Sequence, residues 1–211
     1  MAKELHIDDF DHVLVVEGWS DLHFYAEALE YLGIHEKVYI QECGGESRLK
    51  QKLRSFLTPE LLAEKQTVAV ILDADCNAAD QIRAIKTRLH AMDGLKDRTF
   101  ADNGWSKGQP NIGFFVVPNG QQPGEVETLA WNAWANDPQN AEPKLCVESF
   151  LECMKKSGHS PKKLDKGRIS ALLAIENAED PRLGPGAQAK VFDFNRPEFE
   201  PLLHFLRGFA D

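Results

Sequence analysis

The chain has 211 residues, 43% of them hydrophobic and 27% charged, with a formal net charge of −9. That length suits one domain with a sizeable core, with or without an appended subdomain. The acidic balance argues against a strong nonspecific grip on nucleic acid, and no apolar run approaches the roughly 20 residues that span a bilayer.

Cysteines 43, 76, 146 and 153 include no C-x-x-C pair, which speaks against a disulfide framework or a structural zinc site. The polar opening MAKELHIDDFDH is unlike a secretory signal, so a cytoplasmic location without membrane attachment is expected.

After a polar lead-in over residues 1–12, the run Val13-Leu14-Val15-Val16 closes on Glu17-Gly18. A continuous apolar run ended by a turn signal predicts a strand over 13–17, buried on both faces. Ser20 is the expected N-cap of a helix over 21–32, whose apolar positions Leu22, Tyr25, Ala26, Leu29 and Leu32 have helical spacing; Gly33 ends it. A strand over 38–43 runs into Gly44-Gly45, followed by a helix carrying Arg48, Lys50, Lys52 and Arg54. Thr58-Pro59 breaks that helix and caps a short one.

The next strand covers 67–73. Asn77 caps the following helix, with Asp80 in the capping-box position, and Asp93-Gly94 stops it near 92. Residues 94–111 read as a long loop that Trp105 could anchor. A strand over 112–117, a turn-rich PNGQQPG and a helix from about Val126 follow. Then come a linker-like DPQNAEP, helices near 145–156 and 166–175, a Gly/Pro loop PRLGPGAQ, and an amphipathic helix over 198–209. Alternation of this kind predicts a doubly wound α/β layer with a mostly parallel central sheet flanked by helices. Residues 1–135 form the expected core, and residues 136–211 a mostly helical C-terminal extension packed on it.

In such sheets ligands gather at the carboxyl ends of the strands. Glu17 lies at one end, with Asp21 on the first turn of the next helix. Asp73 and Asp75 lie at another, on one side of the strand if Ala74 faces the other way. Carboxylates from separate strand ends supply the hard oxygens that octahedral Mg²⁺ requires. Without a cation, crowding predicts at least one raised carboxyl pKa. Glu125 and Glu127 follow the fourth predicted strand. Downstream lies a basic segment with Lys155, Lys156, Lys162, Lys163, Lys166 and Arg168. Bland readings stand beside these. Asp21 suits any helix N-terminus, Glu125 an ordinary loop, and both basic stretches a solvated face. Trp131 with Trp134, and Phe205 with Phe209, have helical spacing and read as core.

Glu17-Gly18-x-x-Asp21 after one apolar strand, Gly44 and Gly45 after the next, and Asp73-x-Asp75 after the third resemble the Toprim domain over about residues 13–130. Type IA and type II topoisomerases, bacterial primases and OLD-family nucleases share that domain. The segment Pro-Gly-Glu-Val-Glu after the fourth strand resembles the extra carboxylate motif of the OLD-like branch. The whole chain thus resembles a small stand-alone OLD-like Toprim nuclease.

The resemblance implies a Toprim-like Rossmannoid layer and Mg²⁺-dependent cleavage of DNA, with Mn²⁺ able to substitute, in a defence or repair system. It implies that Glu17 is a ligand or the general acid/base, and that Asp73, Asp75, Asp21 and Glu127 hold metal. Lys166 would offset charge on the phosphate. Glu125, Gly18, Gly44 and Gly45 are further candidates. No G-x-x-x-x-G-K-[ST] motif is present, so an ATPase would be a separately encoded partner; a homodimer is another candidate assembly. Cys76-Asn77 stands where the family often has a glycine-bearing turn. Topoisomerase and primase activities are in doubt without a zinc ribbon, a tyrosine domain or an accessory domain. Two other readings stay open. One is a non-catalytic Toprim-like module that binds metal and a partner. The other is a phosphatase of the haloacid dehalogenase type, which also opens with Asp-x-Asp but wants Thr or Val at 77, where this chain has Asn.

Overall fold

The computed structural model describes residues 6–210. The first five residues of the lead-in and the Lys50 side chain of the basic run lie outside the described residues.

Five strands form one sheet: β1 (His12–Val16), β2 (Val38–Glu42), β3 (Thr67–Asp73), β4 (Gly104–Ser106) and β5 (Asn111–Val117), in the order β2-β1-β3-β5-β4. The pairs β1–β2, β1–β3 and β3–β5 are parallel, and β4–β5 is antiparallel. Val68 to Leu72 are buried without a polar interruption, as befits a central strand covered on both faces.

Strand alternation sorts side chains into two layers. Val13, Val15, Val68, Val70, Ile112 and Phe114 pack under α2 (Glu46–Phe56), α3 (Pro59–Glu64) and α4 (Ala78–His90). Leu14, Val16, Ala69, Ile71, Phe115 and Val117 point the other way. They meet α1 (Trp19–Tyr31), α5 (Val126–Ala135), α7 (Leu164–Glu176), α8 (Leu183–Gln188) and α9 (Glu200–Arg207). Phe192, Phe194 and Phe199 complete this second layer. Trp131, Trp134, Phe205 and Phe209 are buried in it, as their spacing predicts.

Several local expectations are corrected. The N-cap of α1 is Gly18, not Ser20. The Asp21 carboxylate reaches back to the Gly18 N–H at 2.9 Å, while the Ser20 hydroxyl accepts from the Gly184 N–H at 3.1 Å. Residues 94–111 are not all loop. β4 extends the sheet there, and Trp105 anchors it by stacking on Phe205 (5.1 Å) and donating from its indole N–H to the Phe205 carbonyl (2.8 Å).

The DPQNAEP stretch is not a linker throughout. α6 (Ala141–Lys156) begins inside it, with Pro143 in the first turn, where a missing N–H leaves no helix bond unmade. PRLGPGAQ is not a loop but contains α8. Its glycines are there for close approach. A Cβ on Gly184 would lie 2.6 Å from the His23 Cβ and 2.7 Å from the Ser20 carbonyl oxygen, and one on Gly186 would lie 2.5 Å from Leu173. No helix among the described residues is long and apolar enough to cross a membrane.

Candidate active site

The carboxyl ends of β1 and β3 lie side by side and bring the first acids together. Glu17, directly after β1, accepts the Asp73 backbone N–H on Oε1 at 3.2 Å. The main chain of Glu17 is fixed from β2: its carbonyl oxygen accepts from the Gly45 N–H at 2.7 Å and the Cys43 N–H at 3.3 Å. That turn needs glycine, because Gly44 and Gly45 have φ of +82° and +108°. Gly18 has no such need. Its backbone is extended, and a Cβ there would meet only Asp21 Oδ2 at 3.6 Å.

Asp73 closes β3 and accepts the Val126 N–H on Oδ1 at 3.1 Å. It therefore faces the positive end of α5. Glu125 caps α5 and is buried, and Glu127 sits on its first turn. Asp75 is turned out of the strand. Its φ is +50°, and its backbone pairs with Gly124 in an isolated bridge (2.9 and 2.8 Å). Strand alternation therefore stops at Asp73 and does not carry Asp75 to the same point. The Asp75 carboxylate instead accepts from Lys163 Nζ at 3.0 Å and Gln81 Nε2 at 3.3 Å.

Two lysines of the segment entering α7 counter the acids. Lys163 pairs with Glu125 as well as Asp75. Lys166 Nζ lies 3.2 Å from Glu125 Oε2 and 3.3 Å from Glu127 Oε1. Asp75, Glu125, Thr128, Lys163 and Lys166 line a pocket of 230 Å³. Arg48, Lys52 and Arg54 are exposed on α2.

The electrostatics follow from burial and crowding. Asp73 is pushed well above the usual carboxylate range, first by burial and then by Glu17, Asp21, Glu127 and Glu125. Asp21 rises from 3.8 to about 6. Burial is the main cause, with Glu127 and Glu125 adding, and the Gly18 N–H and Lys166 opposing. Burial alone would lower the Lys166 ammonium, but Glu127 and Glu125 outweigh it and leave it raised. Burial also raises Tyr25, with Asp21, Asp73, Glu17 and Glu127 adding. Burial, with crowding added, thus raises two carboxyl groups where at least one was expected.

Glu127 Oε2 is buried without a hydrogen-bond partner among the described residues. An unpartnered buried carboxylate oxygen beside two strained acids suits a cation. Among the described residues no three histidine, cysteine, aspartate or glutamate side chains form a ready-made coordination group. The positive charge near these acids comes from Lys163 and Lys166.

Residues 11–211 match the model of a family described as a protein of unknown function, DUF3226. The chain belongs to that family. Among solved structures, this DUF3226 chain is similar to the C-terminal region of the Xanthomonas campestris pv. campestris OLD protein phased with platinum. The TM-score is 0.51 at 17% identity, over 97% of this chain and 96% of that one. The same region phased with mercury gives a TM-score of 0.49 at 15% identity, over 95% and 97% of the two chains. The first similarity shows a shared fold. No curated protein matches the sequence.

Sequence reasoning singled out Lys166 but left Lys163 in an undivided basic run and missed Thr128 and Asp165. In the DUF3226 chain these join α5 to α7. The Thr128 hydroxyl accepts from the Glu125 N–H at 3.1 Å and donates to Asp165 Oδ2 at 2.7 Å. Arg168 donates to Asp165 Oδ1 at 2.7 Å, pairs with Glu148 of α6 at 2.8 Å and covers the Trp131 ring at 5.5 Å. The one available signal was Thr128 three residues after Glu125, the spacing of a reversed capping box.

Proposed function

We propose that this chain is a divalent-metal-dependent nuclease that cleaves DNA phosphodiester bonds at the rim shared by β1, β3 and the N-terminus of α5. The observation that carries this reading is Asp73. It is a carboxyl group held by the Val126 N–H at 3.1 Å and raised by burial and by Glu17, Asp21, Glu127 and Glu125. So many acids around one buried carboxyl need an added positive charge. The Toprim resemblance of the sequence and the fold shared with the OLD C-terminal region support the same chemistry.

In this reading Asp73, Glu17 and Glu127 hold Mg²⁺ or Mn²⁺, with Asp21 and Asp75 at its margin. A metal held there would supply Lewis-acid polarisation of the phosphodiester and a water of lowered pKa as nucleophile. Glu17 is fixed for holding the metal through both its carbonyl and its carboxylate. Lys166 and Lys163 leave their glutamate partners far enough to offset charge on the phosphate. DNA is the substrate, and a separately encoded ATPase is the partner that would supply a grip the net charge of −9 does not favour.

Incubation with supercoiled plasmid at low salt, in Mg²⁺ or Mn²⁺, tests this. Nicking by the wild type is expected, abolished in Asp73→Ala. In Lys166→Ala it slows by about 10²–10³ with metal binding retained, as loss of one electrostatic donor does. Glu127→Ala should weaken metal binding. Unimpaired nicking by Asp73→Ala would remove this mechanism and favour a non-catalytic module.

A further inference from the structure

α6 is sixteen residues long, yet Leu151 is its one buried residue among the described residues. Val147 packs partly against the core and Glu148 holds Arg168, so one side of the helix is accounted for. The other side is not. Leu145 is 65% exposed and Phe150 53%, and Cys146 and Cys153 are both exposed. Cys146, Ser149 and Cys153 are spaced three and four residues apart and so share a stripe, flanked by Leu145 and Phe150. The same side carries Glu142 at the N-terminal end and Lys156 at the C-terminal end, both exposed.

We propose that this outer face of α6 docks a second copy of the chain, with the two α6 helices antiparallel about a two-fold axis near Ser149. The pattern is self-complementary. Reversing the helix about Ser149 places Glu142 beside the partner's Lys156, Cys146 within one residue of register with the partner's Cys153, and the small Ser149 on itself at the closest approach. Leu145 and Phe150 then cover the seam from both sides. A parallel pair would set Glu142 against Glu142 and Lys156 against Lys156, with the helix dipoles aligned unfavourably. A two-fold contact uses one patch on both copies, as here. One helix pair falls below the ~1,200–2,000 Å² of a stable standard interface, so the dimer is weak and concentration-dependent. Nothing in this inference rests on the nuclease reading.

The test uses a Cys76→Ser background carrying either Cys146→Ser or Cys153→Ser, mixed and oxidised with diamide, which takes up the two thiol hydrogens as the disulfide forms. Within one chain Cys146 and Cys153 lie two helical turns apart, ~10.5 Å, beyond disulfide reach. A covalent dimer is expected in the mixture, with peptides linking Cys146 to Cys153, and little in either variant alone. Sedimentation of the unmodified chain should shift from monomer to dimer with concentration, and Phe150→Glu should abolish the shift. Three results overturn the proposal: a monomer at every concentration, a dimer indifferent to Phe150→Glu, or no more covalent dimer in the mixture than in the separate variants.

Discussion

At Asp73 the charged form of a carboxyl group is opposed by burial and by four neighbouring acids, and Asp21 shares that strain with its rise from 3.8 to about 6. A raised carboxyl keeps its proton in the folded chain at pH values where the unfolded chain has lost it. Its contribution to stability is therefore complete below the ordinary carboxylate range and is lost as pH rises through the folded value. For Asp21 the two-unit window corresponds to on the order of 2–3 kcal/mol at most. Asp73→Asn keeps an oxygen for the Val126 N–H and removes the charge. In chelator this variant should melt above the wild type at neutral pH, with the gain shrinking as pH falls towards 4; a lower melting temperature at pH 7 would contradict the electrostatics described. Lys166 supplies the opposite experiment. Its removal leaves Glu125 and Glu127 with less counter-charge, so Lys166→Ala should melt lower in chelator. Mg²⁺ should then restore more stability to it than to the wild type, by binding the folded form alone. Equal Mg²⁺ shifts in both proteins would separate the lysine from the metal.

Between elements, the Thr128 hydroxyl bridges α5 to the start of α7, beside the lysine pairs to Glu125 and Glu127 and the Arg168–Trp131 contact. Thr128→Val has nearly the same volume but leaves the Glu125 N–H and Asp165 without their shared partner. A loss of about 1–3 kcal/mol is expected from the unpaired Glu125 N–H, together with slower turnover in the proposed nuclease reaction, because Lys163 and Lys166 ride on the start of α7. Thr128→Ser keeps the hydroxyl and should keep both properties; identical thermal melts for the Val and Ser variants would show that the bridge does not hold α7. Gly184→Ala would press a Cβ to 2.6 Å from His23 and 2.7 Å from the Ser20 carbonyl. Overpacking of this kind typically costs ~1–3 kcal/mol, visible as a lower denaturation midpoint. These contacts also explain which parts of the chain could be read in advance. β3 was legible because Val68 to Leu72 admit no polar residue, and α4 because Asn77 accepts from the Ala79 and Asp80 N–H groups as a cap should. α8 was not, because Leu-Gly-Pro-Gly-Ala-Gln has poor helix propensity and forms its helix only against α1 and Leu173. At the site, Glu17 and Asp73 announced themselves at strand ends, and Asp21 on the first turn of the helix after Glu17. Asp165 and Lys163 did not, since their partners Thr128 and Asp75 lie 37 and 88 residues away. The displacement of Asp75 was also hidden, because a left-handed aspartate after a strand has no signature in the strand itself.

Across the whole molecule, the parallel order β2-β1-β3-β5 sets the acids, and the helices that follow β5 return to supply the lysines. A chain with net charge −9 gathers Glu17, Asp21, Asp73, Glu125 and Glu127 on one rim with Asp75 beside them, and sets the ammonium groups of Lys163 and Lys166 against these acids. The proposed nuclease chemistry requires that a divalent ion displace or join those ammonium groups. Crystals soaked in Mn²⁺ and measured for anomalous scattering test that claim most directly. An anomalous peak bounded by Asp73, Glu17 and Glu127 is expected, with Lys166 moved beyond its 3.3 Å contact with Glu127 Oε1. No peak at that rim, with the Lys166 pairs to Glu125 and Glu127 intact at saturating Mn²⁺, would contradict it.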